Sequence, residues 1–146
     1  MPRTLEHKQL SAPAREVWVM VSDPYRMPEW WPRVERVEGV SDGQFTQIMR
    51  SKSGRIVRGD FRILISDASA MTLEIEQLIE GTPFASVLSR STARVAIEGD
   101  HERCEVAVEL DQEPASGLAR IGSLFISRAA RSTAREALDS LERAVG

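Results

Sequence analysis

The feature that most constrains the fold is a long stretch of alternating apolar and polar residues between Val34 and Glu113. A period of two places successive side chains on opposite faces of an extended chain, and clusters of Gly, Pro, Asp and Ser interrupt it. The pattern predicts a meander of antiparallel strands with one face in a core. The predicted strands are Val34–Val40, Phe45–Arg50, Arg55–Ser66, Met71–Ile79, Phe84–Glu98 and Glu102–Glu113.

Helical patterns flank this meander on both sides. Before it, a short strand over Thr4–Leu10 precedes an amphipathic helix over Ala14–Ser22, and two prolines confine a second helical turn to Met27–Trp31. After it, the proline-free segment from Ser116 to Val145 has apolar residues at helical spacing, which predicts one long helix. Because strands and helices are segregated along the chain, we expect an α+β fold with helices on one face of an antiparallel sheet.

Length and composition exclude several classes of protein. The 146 residues are the usual size of one domain, so we expect a single domain over residues 1–146. A net charge of −3 argues against a nucleic acid partner, and one cysteine with two histidines argues against a disulfide or a zinc site, so no metal or cofactor is expected. The N-terminus lacks the apolar stretch of a signal peptide, and no segment approaches the roughly 18 to 20 apolar residues that span a bilayer. A cytoplasmic protein without an integral membrane segment is expected.

Two short motifs connect the chain to a known superfamily. The segment SAPAREVW (Ser11–Trp18), followed by Asp23, and the segment PEWWP (Pro28–Pro32), followed by Val34, resemble the opening motifs of the START/Bet v 1-like (SRPBCC) superfamily, in its polyketide cyclase/dehydratase-like branch. The resemblance implies a helix-grip fold, in which a curved antiparallel sheet of about seven strands wraps a long C-terminal helix and two short helices follow the first strand. It also implies a cavity between the concave face of the sheet and that helix.

The alternation predicts which residues would line such a cavity. One face of the strands is mainly apolar, with Gln77, Ser89 and Ser91 as inward polar groups. A buried amide or hydroxyl without a partner costs about 1 to 3 kcal/mol, so these groups would bond to one another, to water or to a ligand. The alternative is that they are satisfied locally, or that a register slip turns them outward. The residues predicted to contact a ligand are Trp30, Met49, Phe61, Ile63, Ile75, Gln77, Ser89, Ser91, Val106, Ser123 and Ile126.

The long C-terminal helix carries two apolar stripes. The first follows its whole length, and its small residues in the first half would leave space beneath the helix; its members are Ala119, Ser123, Ile126, Ala130, Ala134, Ala137, Leu141 and Val145. The second, nearly opposite, consists of Leu118, Ile121, Phe125 and Ala129. Its cover could be a partner subunit, giving a homodimer through Leu118, Ile121 and Phe125, or a rim loop or membrane lipid. Alternatively the helix bends near Ser127 and the large residues roof the cavity.

No set of side chains predicts a catalytic centre. His101 falls in a predicted turn, His7 lies in the first strand, and neither has a carboxylate partner in the sequence. Cys104 lies on the apolar face of a strand, which favours a small buried side chain over an activated nucleophile.

A basic row on the long helix is interpreted as surface. Arg128, Arg131 and Arg135 lie at helical spacing and could bind an anion or an acidic partner. The acidic residues Glu136, Asp139 and Glu142 that follow can neutralise them, so a solvated face with weak ion pairs is favoured.

Binding or transport of a hydrophobic small molecule, either a lipid or an aromatic, polyketide-like compound, is therefore the leading hypothesis. The first alternative is a polyketide cyclase/dehydratase-like enzyme, in which Gln77, Ser89, Ser91 and His7 would steer proton transfer. The second is a co-chaperone-like interaction module that uses the outer stripe of the long helix, with Leu118, Ile121 and Phe125.

Overall fold

The computed structural model describes residues 3–116 and 121–146 of the chain. The strands are β1 (Arg3–Leu10), β2 (Val34–Ser41), β3 (Gln44–Arg50), β4 (Ile56–Asp67), β5 (Thr72–Gln77), β6 (Leu88–Gly99) and β7 (Cys104–Pro114). The helices are α1 (Ala14–Val21) and α2 (Ile121–Val145), and 3₁₀ helices span Pro24–Glu29 and Pro83–Ser86. No helix of this described part is long and apolar enough to cross a membrane.

Within the described residues the strands form one seven-stranded sheet in the order β1-β7-β6-β5-β4-β3-β2. Every neighbouring pair is antiparallel, and β1 lies beside β7, so the first and last strands of the chain are adjacent. Helix α2 packs across β1 and β7. The predicted α+β helix-grip fold, with a curved sheet wrapped on a long C-terminal helix, is confirmed.

The hydrophobic core lies between the concave face of the sheet and the helices. On β7 the predicted inward set from Cys104 to Leu110 is buried, with Val106 and Val108 fully inaccessible to solvent. The continuous stripe of α2 covers this strand, and its residues Ala134, Ala137 and Leu141 are also fully buried. Trp18, on the buried face of α1, belongs to the same core.

Several predicted element boundaries were wrong by one or more residues, and three of them have a clear local cause. The helical turn predicted over Met27–Trp31 begins earlier, at Pro24, because the carboxylate of Asp23 accepts a hydrogen bond from the Tyr25 backbone N–H at 3.0 Å. The strand predicted from Phe84 begins at Leu88, since Pro83 initiates a 3₁₀ helix in front of it. The strand predicted from Met71 begins one residue later, because Met71 adopts a left-handed backbone with φ of 47°.

Two β-bulges reverse the side-chain alternation that the sequence predicts. The register of β4 shifts between Ile63 and Ile65, and Ile65 is consequently exposed instead of facing the core with Phe61. The register of β6 shifts between Leu88 and Arg90, and Ser89, which lies between them, is exposed. An extra residue in one strand of a pair turns every side chain beyond it to the other face, which explains why the inward placement of these residues was wrong.

Candidate ligand cavity beneath the C-terminal helix

A cavity of about 220 Å³ lies between the concave face of the sheet and α2. This volume falls just below the range of about 300 to 1,000 Å³ that is common for small-molecule sites, so the cavity suits a compact ligand. The sheet and the segment before β2 contribute Trp31, Gln47, Met49, Phe61, Ile75, Gln77, Ser91, Ala93, Leu110 and Gln112. The helix contributes Ala129, Ala130 and Thr133.

The hollow exists because small residues meet at its floor and roof. Ala93 on β6 and Ala130 on α2 both line it, and neither side chain reaches far into the space. Gly59, on the inward face of β4, leaves room for its neighbours: a Cβ at this position would lie 2.9 Å from Met49 Cε and 3.0 Å from Phe61 Cε1. Any side chain there would therefore push one of these groups into the cavity. The Phe61 ring is held by stacking on Phe45, with ring centroids 5.4 Å apart.

The polar groups of the wall differ in how well they are satisfied. Gln112 Nε2 donates a hydrogen bond to Ser91 Oγ at 3.0 Å, and Gln47 Nε2 donates to Met27 Sδ at 3.2 Å. Gln77 Nε2 is buried and has no hydrogen-bond partner in the described part of the chain. A buried donor left without an acceptor costs about 1 to 3 kcal/mol. The Gln77 amide is thus a buried wall group with hydrogen-bonding capacity to spare.

The described wall residues carry no charge and no side chain that titrates near neutral pH. They supply aromatic and aliphatic surface together with amides and hydroxyls, and within this set there is no general acid or base of the kind that proton transfer needs. Such a wall can hold and orient a molecule.

Several residues predicted from the sequence to contact a ligand come together here. Met49, Phe61, Ile75, Gln77 and Ser91 all line the cavity. They were predicted because the period-two alternation along β3 to β6 places them on the inward face. None of them lies in a bulge, so the alternation holds at these positions. Ligand contact at these positions stays a prediction.

The remaining predicted contacts do not line the cavity. Trp30 is 2% exposed in the core, where its ring meets that of Trp31 edge to face at 5.4 Å. Val106 and Ile126 are buried elsewhere in the core.

Three further predicted contacts lie away from the wall at lower burial. Ile63 is half-buried against the core cluster, and Ser123 is half-buried on α2. Ser89 is exposed beyond the bulge of β6, and its hydroxyl donates to the Pro114 carbonyl oxygen at 3.2 Å. The register slip considered as the alternative for the inward polar groups therefore applies to Ser89.

Sequence reasoning missed several residues of the wall. Gln47 shares a face with Met49, and Gln112 shares one with Leu110, so the alternation could have identified both. Trp31 lines the cavity in place of its neighbour Trp30, and this depends on how the 3₁₀ helix over Pro24–Glu29 ends. Ala129 belonged to the predicted outer stripe of the helix.

The titratable residues considered for catalysis lie outside the cavity. His7 faces the outer side of the sheet, where its Nδ1 atom is 3.8 Å from Glu105 Oε2, and His101 is exposed. Cys104 is buried, and desolvation raises the pKa of its thiol, which disfavours the reactive thiolate. Of the set required by the cyclase hypothesis, Gln77 and Ser91 meet at the wall, whereas Ser89 and His7 do not.

The outer stripe of α2 remains uncovered where the structure describes it. Leu118 lies outside the described residues, as does the side chain of Ile121, whereas Phe125 is 67% exposed. Helix α2 continues without interruption through Ser127. Phe125 therefore does not roof the cavity, and the homodimer through Leu118, Ile121 and Phe125 stays a prediction.

A seven-stranded antiparallel sheet that grips a C-terminal helix over an internal cavity defines a helix-grip protein of the START/Bet v 1-like class. The chain belongs to the family described as polyketide cyclase/dehydrase and lipid transport, whose model matches residues 1–146. No curated protein matches the sequence.

Solved structures share this fold at low sequence identity. The di-domain ARO/CYC BexL from the BE-7585A biosynthetic pathway superposes with a TM-score of 0.84 at 20% identity, over 99% of this chain and 46% of BexL. The present chain therefore spans less than half the length of that protein. A START superfamily protein from Mycobacterium smegmatis gives a TM-score of 0.79 at 14% identity, covering 98% of this chain and 96% of that one. The Zhui aromatase/cyclase from Streptomyces sp. R1128 gives 0.71 at 17% identity, covering 98% and 90%.

Proposed function

We propose that this protein binds a small, uncharged molecule with an apolar body and hydrogen-bonding groups in the cavity beneath α2. The observation that carries the proposal is a hollow between sheet and helix whose described wall is apolar and neutral, with one buried amide, that of Gln77, lacking a partner. A ligand carbonyl or hydroxyl oxygen would accept the Gln77 N–H and remove the cost of the unpaired donor.

The chemistry of the wall favours a compact ring compound over a fatty acid. A buried carboxylate needs a cation or several donors to offset its desolvation, and the described wall contains no Lys, Arg or His. Trp31 and Phe61 instead contribute aromatic rings to the wall, against which a planar ligand can pack. The preferred ligand is therefore aromatic or polyketide-like, and an uncharged lipid fragment is the second choice.

A polyketide cyclase/dehydratase-like enzyme is the second candidate function. It is supported by the family description and by the aromatase/cyclase names of BexL and Zhui. In such an enzyme Gln77, Ser91 and Gln112 would fold a reactive chain into one conformation, and the contribution would come from positioning. Recovery of the bound compound unchanged after incubation separates a binder from an enzyme.

The test of the proposal is a titration with a neutral fluorescent probe such as phenylnaphthylamine. The native protein should enhance probe emission and transfer excitation from Trp31, which lines the cavity. Ala93→Leu places added carbons in the cavity and should abolish the signal, because Ala93 lines the wall on β6. Ala96→Leu is the matched control, since Ala96 lies on the same strand and lines a recess on the outer face of the sheet. Equal probe binding by both variants would refute the cavity as the binding site.

A further inference from the structure

The outward face of α2 combines exposed apolar side chains with arginines that have no partner among the described residues. Leu124 and Phe125 are 70% and 67% exposed, so two adjacent large apolar side chains lie in solvent. Arg128 and Arg131 follow Leu124 at i+4 and i+7, so all three share one side of the helix. Neither arginine makes a hydrogen bond or ion pair with any other described residue.

Two of the three acidic residues expected to neutralise these arginines are engaged elsewhere, and the third, Glu136, forms no ion pair with either arginine among the described residues. Asp139 and Glu142 both accept from Lys8 Nζ on β1, at 2.7 and 3.0 Å. Arg135 pairs with Glu6, also on β1. Arg128 and Arg131 are solvent-exposed, as predicted for a solvated face, but the ion pairs predicted for them do not form among the described residues. Residues 121–135 contain three arginines and no acidic residue, in a chain whose net charge is −3.

This surface adjoins the cavity. Ala129 follows Phe125 by four residues and so lies on the same side of the helix, where it lines the cavity and is itself exposed; the cavity therefore reaches the molecular surface beside Phe125. Thr133, one turn further, lines the cavity too. A ligand entering along this side of α2 would pass the exposed side chains of Leu124 and Phe125.

We propose that Leu124, Phe125, Arg128 and Arg131 form a docking surface for a membrane that contains anionic lipids. Apolar side chains on a helix enter the headgroup region while adjacent arginines pair with lipid phosphates. A self-associating dimer through the same face would bring the arginines of two copies together without acidic residues to offset them, so charge complementarity favours the membrane. This inference rests on the proposed function, because the benefit of docking would be exchange of the cavity's apolar ligand with the membrane.

The experiment is co-sedimentation of the full chain with phosphatidylcholine vesicles, with and without phosphatidylglycerol. We expect binding to the anionic vesicles, little binding to the neutral ones, and loss of binding at high salt. The double variant Arg128→Gln/Arg131→Gln should bind roughly thirtyfold more weakly, since each basic residue near an anionic surface contributes a factor of about five. Leu124→Ser/Phe125→Ser should also lose binding, and both pairs of positions are exposed, so folding should be intact.

Matched controls are available on α1 and in the turn before β7. Arg15→Gln/Arg103→Gln changes the net charge by the same amount, and Val19→Ser removes an exposed apolar side chain; all three positions are exposed and should leave vesicle binding unchanged. Failure of the native chain to bind anionic vesicles, or equal binding by the arginine variant, would overturn the docking surface. So would a native dimer in light scattering that Leu124→Ser/Phe125→Ser dissociates.

Phenylnaphthylamine binding without vesicles separates the two proposals. If probe binding persists when vesicle binding is absent, the docking surface is wrong and the cavity proposal stands. If the chain binds vesicles but not the probe, the cavity proposal is wrong and the docking surface stands.

Discussion

Gln77 occupies an unusual position among the polar residues of the cavity wall. Gln112 and Ser91 satisfy each other, and Gln47 donates to a methionine sulfur, whereas the Gln77 amide nitrogen is buried without an acceptor. Its backbone pairs with Phe61 on β4, so the side chain is held at the wall by the sheet itself. An unsatisfied group of this kind lowers the stability of the protein, and a ligand that accepts from it, as proposed above, would remove that cost.

Replacing Gln77 by leucine should therefore separate stability from binding. We expect the free energy of unfolding of Gln77→Leu to stay constant or to rise by about 1 kcal/mol, because the unpaired donor is removed. Affinity for a ligand that carries a carbonyl group should fall roughly tenfold, the value of one hydrogen bond. Urea unfolding and probe displacement measure the two quantities.

Gln47→Leu serves as the comparison for this change. Gln47 is 1% exposed and its amide already has a partner in Met27, so its replacement should bring no gain in stability. If Gln77→Leu proved clearly less stable than the native protein, the amide would have a structural role and the ligand hypothesis for it would fail.

At the scale of elements, α2 determines whether the space beneath it is filled. Its buried stripe is made of alanines along the middle of the helix, with larger residues such as Leu138 and Leu141 towards the end. Ala134 and Ala137 are fully buried against the sheet, whereas Ala130 is buried and also borders the cavity. Alanine therefore packs closely against the sheet at position 134, whereas one turn earlier, at position 130, it leaves open space beside it.

Leucine at Ala134 and at Ala130 tests that difference. Ala134→Leu should destabilise the protein by about 1 to 3 kcal/mol, because the added carbons meet a closely packed core. Ala130→Leu should cost less, since its side chain can extend into the cavity, and it should eliminate probe binding. Unfolding in urea gives both free energies, and comparable losses at the two positions would show that the space near Ala130 is not available.

For the molecule as a whole, carboxylates paired at the surface predict how stability depends on pH. The neighbouring guanidinium of Arg26 lowers the pKa of Glu29, and that of Arg50 lowers the pKa of Glu35. A hydrogen bond from Lys8 lowers the pKa of Asp139. Backbone N–H groups of the turn that follows lower the pKa of Asp100.

A folded-state pKa below the unfolded value stabilises the protein above the unfolded pKa, and this contribution is lost as the pH falls through the folded pKa. The melting temperature should therefore be steady near neutral pH and fall once the pH drops below about 4. High salt should weaken the pH-dependent stabilisation that comes from ion pairs. It should leave the contribution of Asp100 unchanged, because that carboxylate accepts from backbone N–H groups at 2.8 and 3.1 Å. A melting temperature that rises in acid would contradict the assignment.

Most of the fold could be predicted from the printed sequence. Alternation with a period of two identified the strands and the inward faces of β5 and β7, and apolar spacing along α2 identified its buried stripe, because both patterns arise between residues that are close in the chain. The same local rules placed Met49, Phe61, Ile75, Gln77 and Ser91 at the cavity wall. The family motifs at Ser11–Trp18 and Pro28–Pro32 pointed to the helix-grip class, which the structure confirms.

What could not be predicted depends on residues that are distant in sequence. The bulges that expose Ile65 and Ser89 are properties of a strand pair and cannot be recognised in one strand. Tertiary contacts decide whether Gln77 has a hydrogen-bond partner. They also decide whether Asp139 and Glu142 pair with the arginines of α2 or with Lys8 on β1. Local periodicity encodes which way a side chain points, whereas its hydrogen-bond and charge partners are set when the sheet closes on the helix.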